Sequence, residues 1–183
     1  MRPKRGRRAI FFDRDGVLNR LIPGGYVLAW DDFVWLPGAK EAIRQASAAG
    51  WLCAVLTNQS CIGRGLVTAA RVREIHERMA AEIGAAGGRL SGVFVCPHHP
   101  EERCECRKPR PGLLLTAASA LGLDLASSWL IGDSAADLEA ATHVGVSTVL
   151  VRTGAGAEVA RQHSDWTVAD DVRGAVEWII GGR

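Results

Sequence analysis

No apolar run in this sequence is long enough to cross a bilayer, which excludes a membrane-spanning helix as its organising element. There is no internal repeat, no low-complexity stretch and no clear linker, so neither a repeat array nor a string of separate modules is expected. The basic start, Met1 to Arg8, is followed only by a short apolar segment, too little for a secretory signal. Charge of one sign is not in large excess either, with a formal net charge of +2. Arg2, Lys4, Arg5, Arg7 and Arg8 supply five positive charges at the start, leaving −3 for the remainder. A basic arm can hold nucleic acid or an anionic surface. Without aromatic interleaving or a basic helical face, residues 1–8 read instead as a solvated, flexible tail. The expectation is a cytoplasmic protein with no nucleic-acid and no membrane partner.

The five cysteines (Cys53, Cys61, Cys96, Cys104 and Cys106) are an odd number with no signal peptide before them, which argues against a disulfide framework. The 183 residues, 48% hydrophobic and 23% charged, suffice for one well-buried domain over 9–183 and are short for two. A monomer is expected.

What is present alternates. Ala9-Ile10-Phe11-Phe12 is an apolar run ending at Asp13, Leu52–Leu56 ends at Thr57-Asn58, and Val93-Phe94-Val95 leads into a Cys/His cluster. Trp129-Leu130-Ile131 ends at Gly132-Asp133, and Thr148–Val151 is a fifth such run. All five read as buried strands. Between them, helices are predicted over Pro37–Ala49, from Thr68 along the stripe Val72, Ile75, Met79 and Ile83, over Gly112–Leu121 and Ala135–His143, and last over Val172–Ile180. Strands alternating with helices imply an α/β fold, a three-layer Rossmann-like parallel sheet whose ligands bind beyond the carboxyl ends of the strands. Asp13, Thr57, the Cys/His cluster and Asp133 are all expected on that rim.

The chemistry-bearing residues sit there. Asp13-x-Asp15 puts two carboxylates two residues apart just past a strand, where one can attack phosphorus while the other exchanges protons. Alone this run is a weak signal. Asp133 strengthens it, because a hard cation such as Mg2+ takes carboxylate and carbonyl oxygens from different strand ends. Thr57-Asn58 offers a hydroxyl and an amide to phosphate oxygens, and Lys108 offers the positive charge on which phosphoryl transfer relies.

In that order and spacing, Asp13-x-Asp15, Thr57, Lys108 and Gly132-Asp133-x-x-x-Asp137 resemble the four motifs of the haloacid dehalogenase superfamily of phosphatases. From about residue 9 to residue 167 the chain is similar to the D-glycero-D-manno-heptose 1,7-bisphosphate 7-phosphatases. Gly25-Tyr26-Val27, Thr57-Asn58-Gln59-Ser60, Cys96-Pro97-His98-His99-Pro100, Cys106-Arg107-Lys108-Pro109 and Arg152-Thr153-Gly154 carry that likeness. The resemblance implies Asp13 as nucleophile and magnesium ligand. It implies Asp15 as general acid/base, reaching magnesium through its backbone carbonyl, and Asp133 as the remaining magnesium ligand. Thr57 and Lys108 would stabilise the transferring phosphoryl group, and Arg14, Asn58, Gln59, Ser60 and Arg107 would contact a phosphorylated sugar. Two positions depart from the family: Ser134 stands where Lys is common, and Ser60-Cys61 replaces Ser-Gly.

Cys96-x-His98-x5-Cys104-x-Cys106 offers three thiolates and an imidazole, a donor set for a closed, structural Zn2+ site. His99 is the alternative imidazole, but the alternating spacing favours His98. Zinc there would staple the loop and position Arg107 and Lys108. The roughly fifty residues between Thr57 and Lys108 leave no room for a large cap domain. Specificity is therefore expected from residues 20–27, 59–66 and 98–107. The His98-to-Cys104 gap is short and similar to the histidinol-phosphate phosphatases. That group, or a broader sugar-phosphate phosphatase, is the alternative enzyme, and a zinc-stapled binding protein without turnover is the alternative of another class.

Overall fold

The computed structural model describes residues 6–182. Six parallel strands form one sheet in the order β3-β2-β1-β4-β5-β6. They are β1 (Ala9–Phe12), β2 (Leu52–Asn58), β3 (Gly92–Cys96), β4 (Trp129–Gly132), β5 (Ser147–Val151) and β6 (Val168–Ala169). The helices are α1 (Ala39–Ala48), α2 (Ser60–Gly63), α3 (Ala69–Ala85), α4 (Gly112–Leu121), α5 (Ala135–Thr142), α6 (Gly156–Gln162) and α7 (Val172–Ile180).

The central strands are apolar up to their carboxyl ends because both faces of the sheet are covered. Side chains alternate between two cores along each strand. Ile10, Phe12, Cys53, Val55 and Ile131 pack with Ala42 and Ile43 of α1, Ile75 and Met79 of α3, and Val176 of α7. Ala9, Phe11, Ala54, Leu56 and Leu130 face Leu114 of α4 and Ala140 of α5. The three layers expected from the alternation of strands and helices are therefore present. Thr68 caps α3 by accepting from the Arg71 N–H at 3.1 Å, as its position predicts.

Some elements differ from expectation. Helix α1 starts two residues later than predicted, because Gly38 occupies the N-cap and Pro37 precedes it. Helices α2 and α6 and the two-residue β6 are additional to the predicted set. Of the predicted tail, residues 1–5 lie outside the described residues. Arg7 pairs with Leu123 in an isolated parallel bridge, and the Arg8 guanidinium lies 4.1 Å from the Trp51 ring centroid. Those two residues belong to the folded body. Among the described residues no helix is long and apolar enough to cross a membrane.

Strand order places the site. The chain runs outward from β1 to β2 and β3, then returns to the other side of β1 for β4. Such a switch opens a crevice beyond the carboxyl ends of the two strands involved. Asp13 follows β1 and Asp133 follows β4, and Phe12 is in register with Ile131.

Candidate active site

Asp13, Asp15, Thr57, Asn58, Lys108, Asp133 and Asp137 line one pocket of about 190 Å3 at that crevice. A larger groove of about 460 Å3 lies between α3 and β3, but its lining is mostly apolar and holds neither Asp13 nor Asp133. The chemistry belongs to the smaller pocket.

Lys108 is nearly buried and stands at its centre, with Nζ 2.9 Å from Asp13 Oδ1, 2.5 Å from Asp137 Oδ1 and 2.8 Å from the Leu56 carbonyl. Burial disfavours its charge, but Asp13 and Asp137 more than compensate and hold its pKa above the usual lysine range. Its backbone is fixed as well. Asn58 Nδ2 donates to the Lys108 carbonyl at 3.1 Å, and the Lys108 N–H donates to Asn58 Oδ1 at 3.2 Å.

The carboxylates outnumber that ammonium. Burial and then the charge of Asp137 push Asp13 well above the ordinary carboxyl range. The same two causes, in the same order, push Asp133 up to about 7. Asp13, Asp133 and Asp137 each offer an oxygen within 4.8 Å of the others. An uncompensated cluster of this kind suits a hard divalent cation. Backbone shape fits one too. Gly16 (φ 89°) and Gly154 (φ 59°) lie so close to the Asp133 carboxylate that a Cβ on either would collide with it.

The three acids are not equivalent. Asp133 Oδ2 accepts from the Ala155 N–H at 2.9 Å. Both oxygens of Asp137 are occupied, Oδ1 by Lys108 and Oδ2 by the Ser134 N–H at 3.1 Å and hydroxyl at 2.5 Å. Asp137 thus meets Lys108 with one oxygen and Ser134 with the other, whereas Asp13 and Asp133 each have a single oxygen so engaged among the described residues. The motif alone assigns Asp137 no role; its register about one helical turn after Ser134 is the signal in the sequence. Ser134 caps α5 while also holding Asp137.

Several predicted substrate contacts point inward instead. Arg14 is fully buried, and its Nη2 donates to Asp15 Oδ1 at 3.0 Å, to Asp15 Oδ2 at 2.9 Å and to Gln59 Oε1 at 3.1 Å. Gln59 is buried as well, donating to Asp15 Oδ2 and to Thr57 Oγ1, each at 2.8 Å. Burial favours the neutral form of Asp15, but Arg14 and the hydrogen bonds from Asn19, Arg14 and Gln59 outweigh it and hold the acid below its usual range. Ser60 is buried too, 3.2 Å from the Tyr26 hydroxyl. Arg107 keeps a buried Nη1 with no partner among the described residues, a donor suited to an incoming anion.

The segments expected to set specificity meet at an open basin lined by Gly24, Tyr26, Arg64, Leu66 and His99. Beside it, the four predicted zinc donors come together. Sγ of Cys96 lies 3.6 Å from that of Cys104 and 3.7 Å from His98 Nδ1. Sγ of Cys106 lies 3.5 Å from that of Cys104 and 3.2 Å from His98 Nδ1. Zinc–thiolate bonds of about 2.3 Å in a tetrahedron give edges of about 3.8 Å, so the cluster is compatible with zinc. His98 faces the thiolates, while His99 Nδ1 accepts from the Glu101 N–H.

Comparison with known proteins agrees with this geometry. The HAD-hydrolase-like family model matches residues 105–175. The D-glycero-beta-D-manno-heptose-1,7-bisphosphate 7-phosphatase of Pseudomonas putida is 43% identical over 149 residues, 81% of this chain and 85% of that one. The Escherichia coli K12 protein of the same name is 39% identical over 180 residues, 94% of this chain and 87% of that one. Among solved structures, the D,D-heptose 1,7-bisphosphate phosphatase of B. bronchiseptica, complexed with magnesium and phosphate, superposes with a TM-score of 0.90 at 35% identity. The match covers 96% of this chain and 99% of that one.

Proposed function

The chain belongs to the D-glycero-beta-D-manno-heptose-1,7-bisphosphate 7-phosphatase family of haloacid-dehalogenase-like hydrolases, and we propose that it removes the C7 phosphate of that β-anomeric bisphosphate through an aspartyl-phosphate at Asp13. It is a phosphomonoester hydrolase. Supporting this reading is the pocket in which Lys108 Nζ lies 2.9 Å from Asp13 while Asp133 approaches from the neighbouring strand end.

Asp13 attacks phosphorus. Lys108 offsets the repulsion between that carboxylate and the arriving phosphate, and Thr57 offers its hydroxyl to a phosphoryl oxygen. Asp15 passes a proton to the departing C7 oxygen, then takes one from the water that cleaves the acyl phosphate. It is ionised in the free site, and the negative charge of an arriving phosphate raises its proton affinity, so Asp15 takes up from water, as substrate binds, the proton that it then passes on. Asp13, Asp133 and the Asp15 carbonyl would hold Mg2+, which would supply charge neutralisation on the transferring group. Arg107 and the basin around Tyr26, Arg64 and His99 receive the sugar and its retained phosphate. Arg14, Asn58, Gln59 and Ser60 serve mainly by holding the groups that touch substrate. Cys96, His98, Cys104 and Cys106 would hold Zn2+, which would staple the loop that carries Arg107 and Lys108. The enzyme works as a cytoplasmic monomer.

The short gap between His98 and Cys104 supports a second reading, histidinol-phosphate hydrolysis. Phosphate release from both anomers of the heptose bisphosphate, histidinol phosphate and simple sugar phosphates separates the two. A preference of about 100-fold in kcat/KM for the β bisphosphate, roughly 2.7 kcal/mol, is expected. A flat profile, or faster turnover of histidinol phosphate, would overturn the substrate assignment.

A further inference from the structure

His76 lies in α3, outside every motif of the site, yet it is nearly buried and its imidazole reaches the catalytic centre through one residue. Its Nε2 lies 2.9 Å from Arg14 Nη1. A guanidinium has no acceptor, so Arg14 donates and Nε2 accepts, which places the ring proton on Nδ1. The other end of the same guanidinium grips both oxygens of Asp15 and the Gln59 amide oxygen. Arg14 Nε has no partner among the described residues, so the imidazole is the contact that fixes the inner edge of the guanidinium plane.

We propose that His76 is a positioning residue for proton transfer, setting the orientation of Asp15 through Arg14. The inference rests on Asp15 being the general acid/base. An imidazole can play this part only while neutral, since a second ring N–H would oppose the guanidinium. Burial, with the Arg14 charge second, lowers its pKa to about 3, which keeps it an acceptor at neutral pH. The hydrophobic stripe of α3 is filled by Val72, Ile75, Met79 and Ile83, so packing alone does not call for an imidazole among them. The bond to Arg14 does.

The test compares two substrates whose leaving groups differ in their need for a proton. A sugar phosphate leaves as an alkoxide and depends on the acid, whereas p-nitrophenyl phosphate leaves as a stable phenolate. Because kcat/KM reports on steps up to phosphoryl transfer, it isolates the protonation of the leaving group. For His76→Leu, kcat/KM on the heptose bisphosphate should fall by about 10-fold, a fraction of what general acid catalysis supplies, and by less than about 2-fold on the aryl phosphate. His76→Gln, whose amide oxygen can accept from Arg14, should recover most of the loss. It also serves as the readable variant if the leucine protein fails to fold.

Equal losses on the two substrates, or a glutamine variant as impaired on the sugar phosphate alone as the leucine one, would overturn the role. Asp15→Asn in the same assay separates the layers of the argument. If it retains full turnover, the assignment of Asp15 itself fails. If it is inactive while His76→Leu is unaffected, only the inference about His76 fails.

Discussion

Lys108 Nζ lies 2.5 Å from Asp137 Oδ1, a buried ion pair at the centre of the site. The same ammonium is 2.9 Å from Asp13, so Asp137 determines where the cation sits relative to the nucleophile. Without the Asp137 charge the ammonium still faces Asp13, and the repulsion that Asp137 exerts on Asp13 and Asp133 is relieved. Asp137→Asn should therefore change stability in urea unfolding by no more than about 1 kcal/mol. It should also lower kcat by roughly 10- to 100-fold through displacement of Lys108. Wild-type kcat in a folded Asp137→Asn protein would remove Asp137 from this role.

Gly16 and Gly154 press against the Asp133 carboxylate with left-handed backbones, so a methyl group at either site strains the chain and displaces the acid. Gly16→Ala should cut kcat/KM by about 100-fold or more and shift the Mg2+ titration of activity to higher concentration. A circular dichroism spectrum like that of the wild type would assign the loss to the site and not to the fold.

The Cys96, His98, Cys104 and Cys106 cluster should purify with one equivalent of zinc by elemental analysis. Cys104→Ser should lose it. Loss of a structural metal of about 3 kcal/mol corresponds to roughly 6–12 °C in Tm for a chain of this size. Activity should fall as well, because Arg107 and Lys108 follow the last ligand directly.

His76 gives stability a pH dependence of defined sign. Its folded pKa, about 3, lies below the ordinary 6.5, so between those values the unfolded chain holds a proton that the folded one does not. Its contribution is intact above pH 6.5 and is lost progressively as pH falls toward 3, by at most about 1.4 kcal/mol per unit. Urea unfolding at pH 7 and pH 5 should show a drop that is smaller by roughly 2 kcal/mol in His76→Gln. An unchanged drop would mean that His76 titrates normally in the folded state.

Long apolar segments were the legible part of this fold. Helix α4 ends at Leu121 and α7 spans Val172–Ile180 as the pattern predicts, because apolar periodicity and end signals agree there. Helices α2 and α6 and strand β6 are too short to establish a period. At the site, residue type and spacing marked Asp13, Asp15, Lys108 and Asp133, which the structure gathers into one pocket. Direction was not legible. Arg14 and Gln59 sit among predicted substrate contacts yet face inward, because a carboxylate next in sequence captures the guanidinium. His76 belongs to no motif, and its role depends on a contact 62 residues away in sequence.

The most direct test of the aspartyl mechanism is to find the residue that carries the phosphoryl group. Enzyme mixed with Mg2+ and heptose bisphosphate would be quenched in acid during turnover, reduced with borohydride and digested. Reduction converts an acyl phosphate of aspartate to homoserine, which mass spectrometry can place within a peptide. Homoserine at position 13, absent without substrate and absent in Asp13→Asn, is the predicted result. Turnover by Asp13→Asn at the wild-type rate, or the label at another residue, would contradict the account.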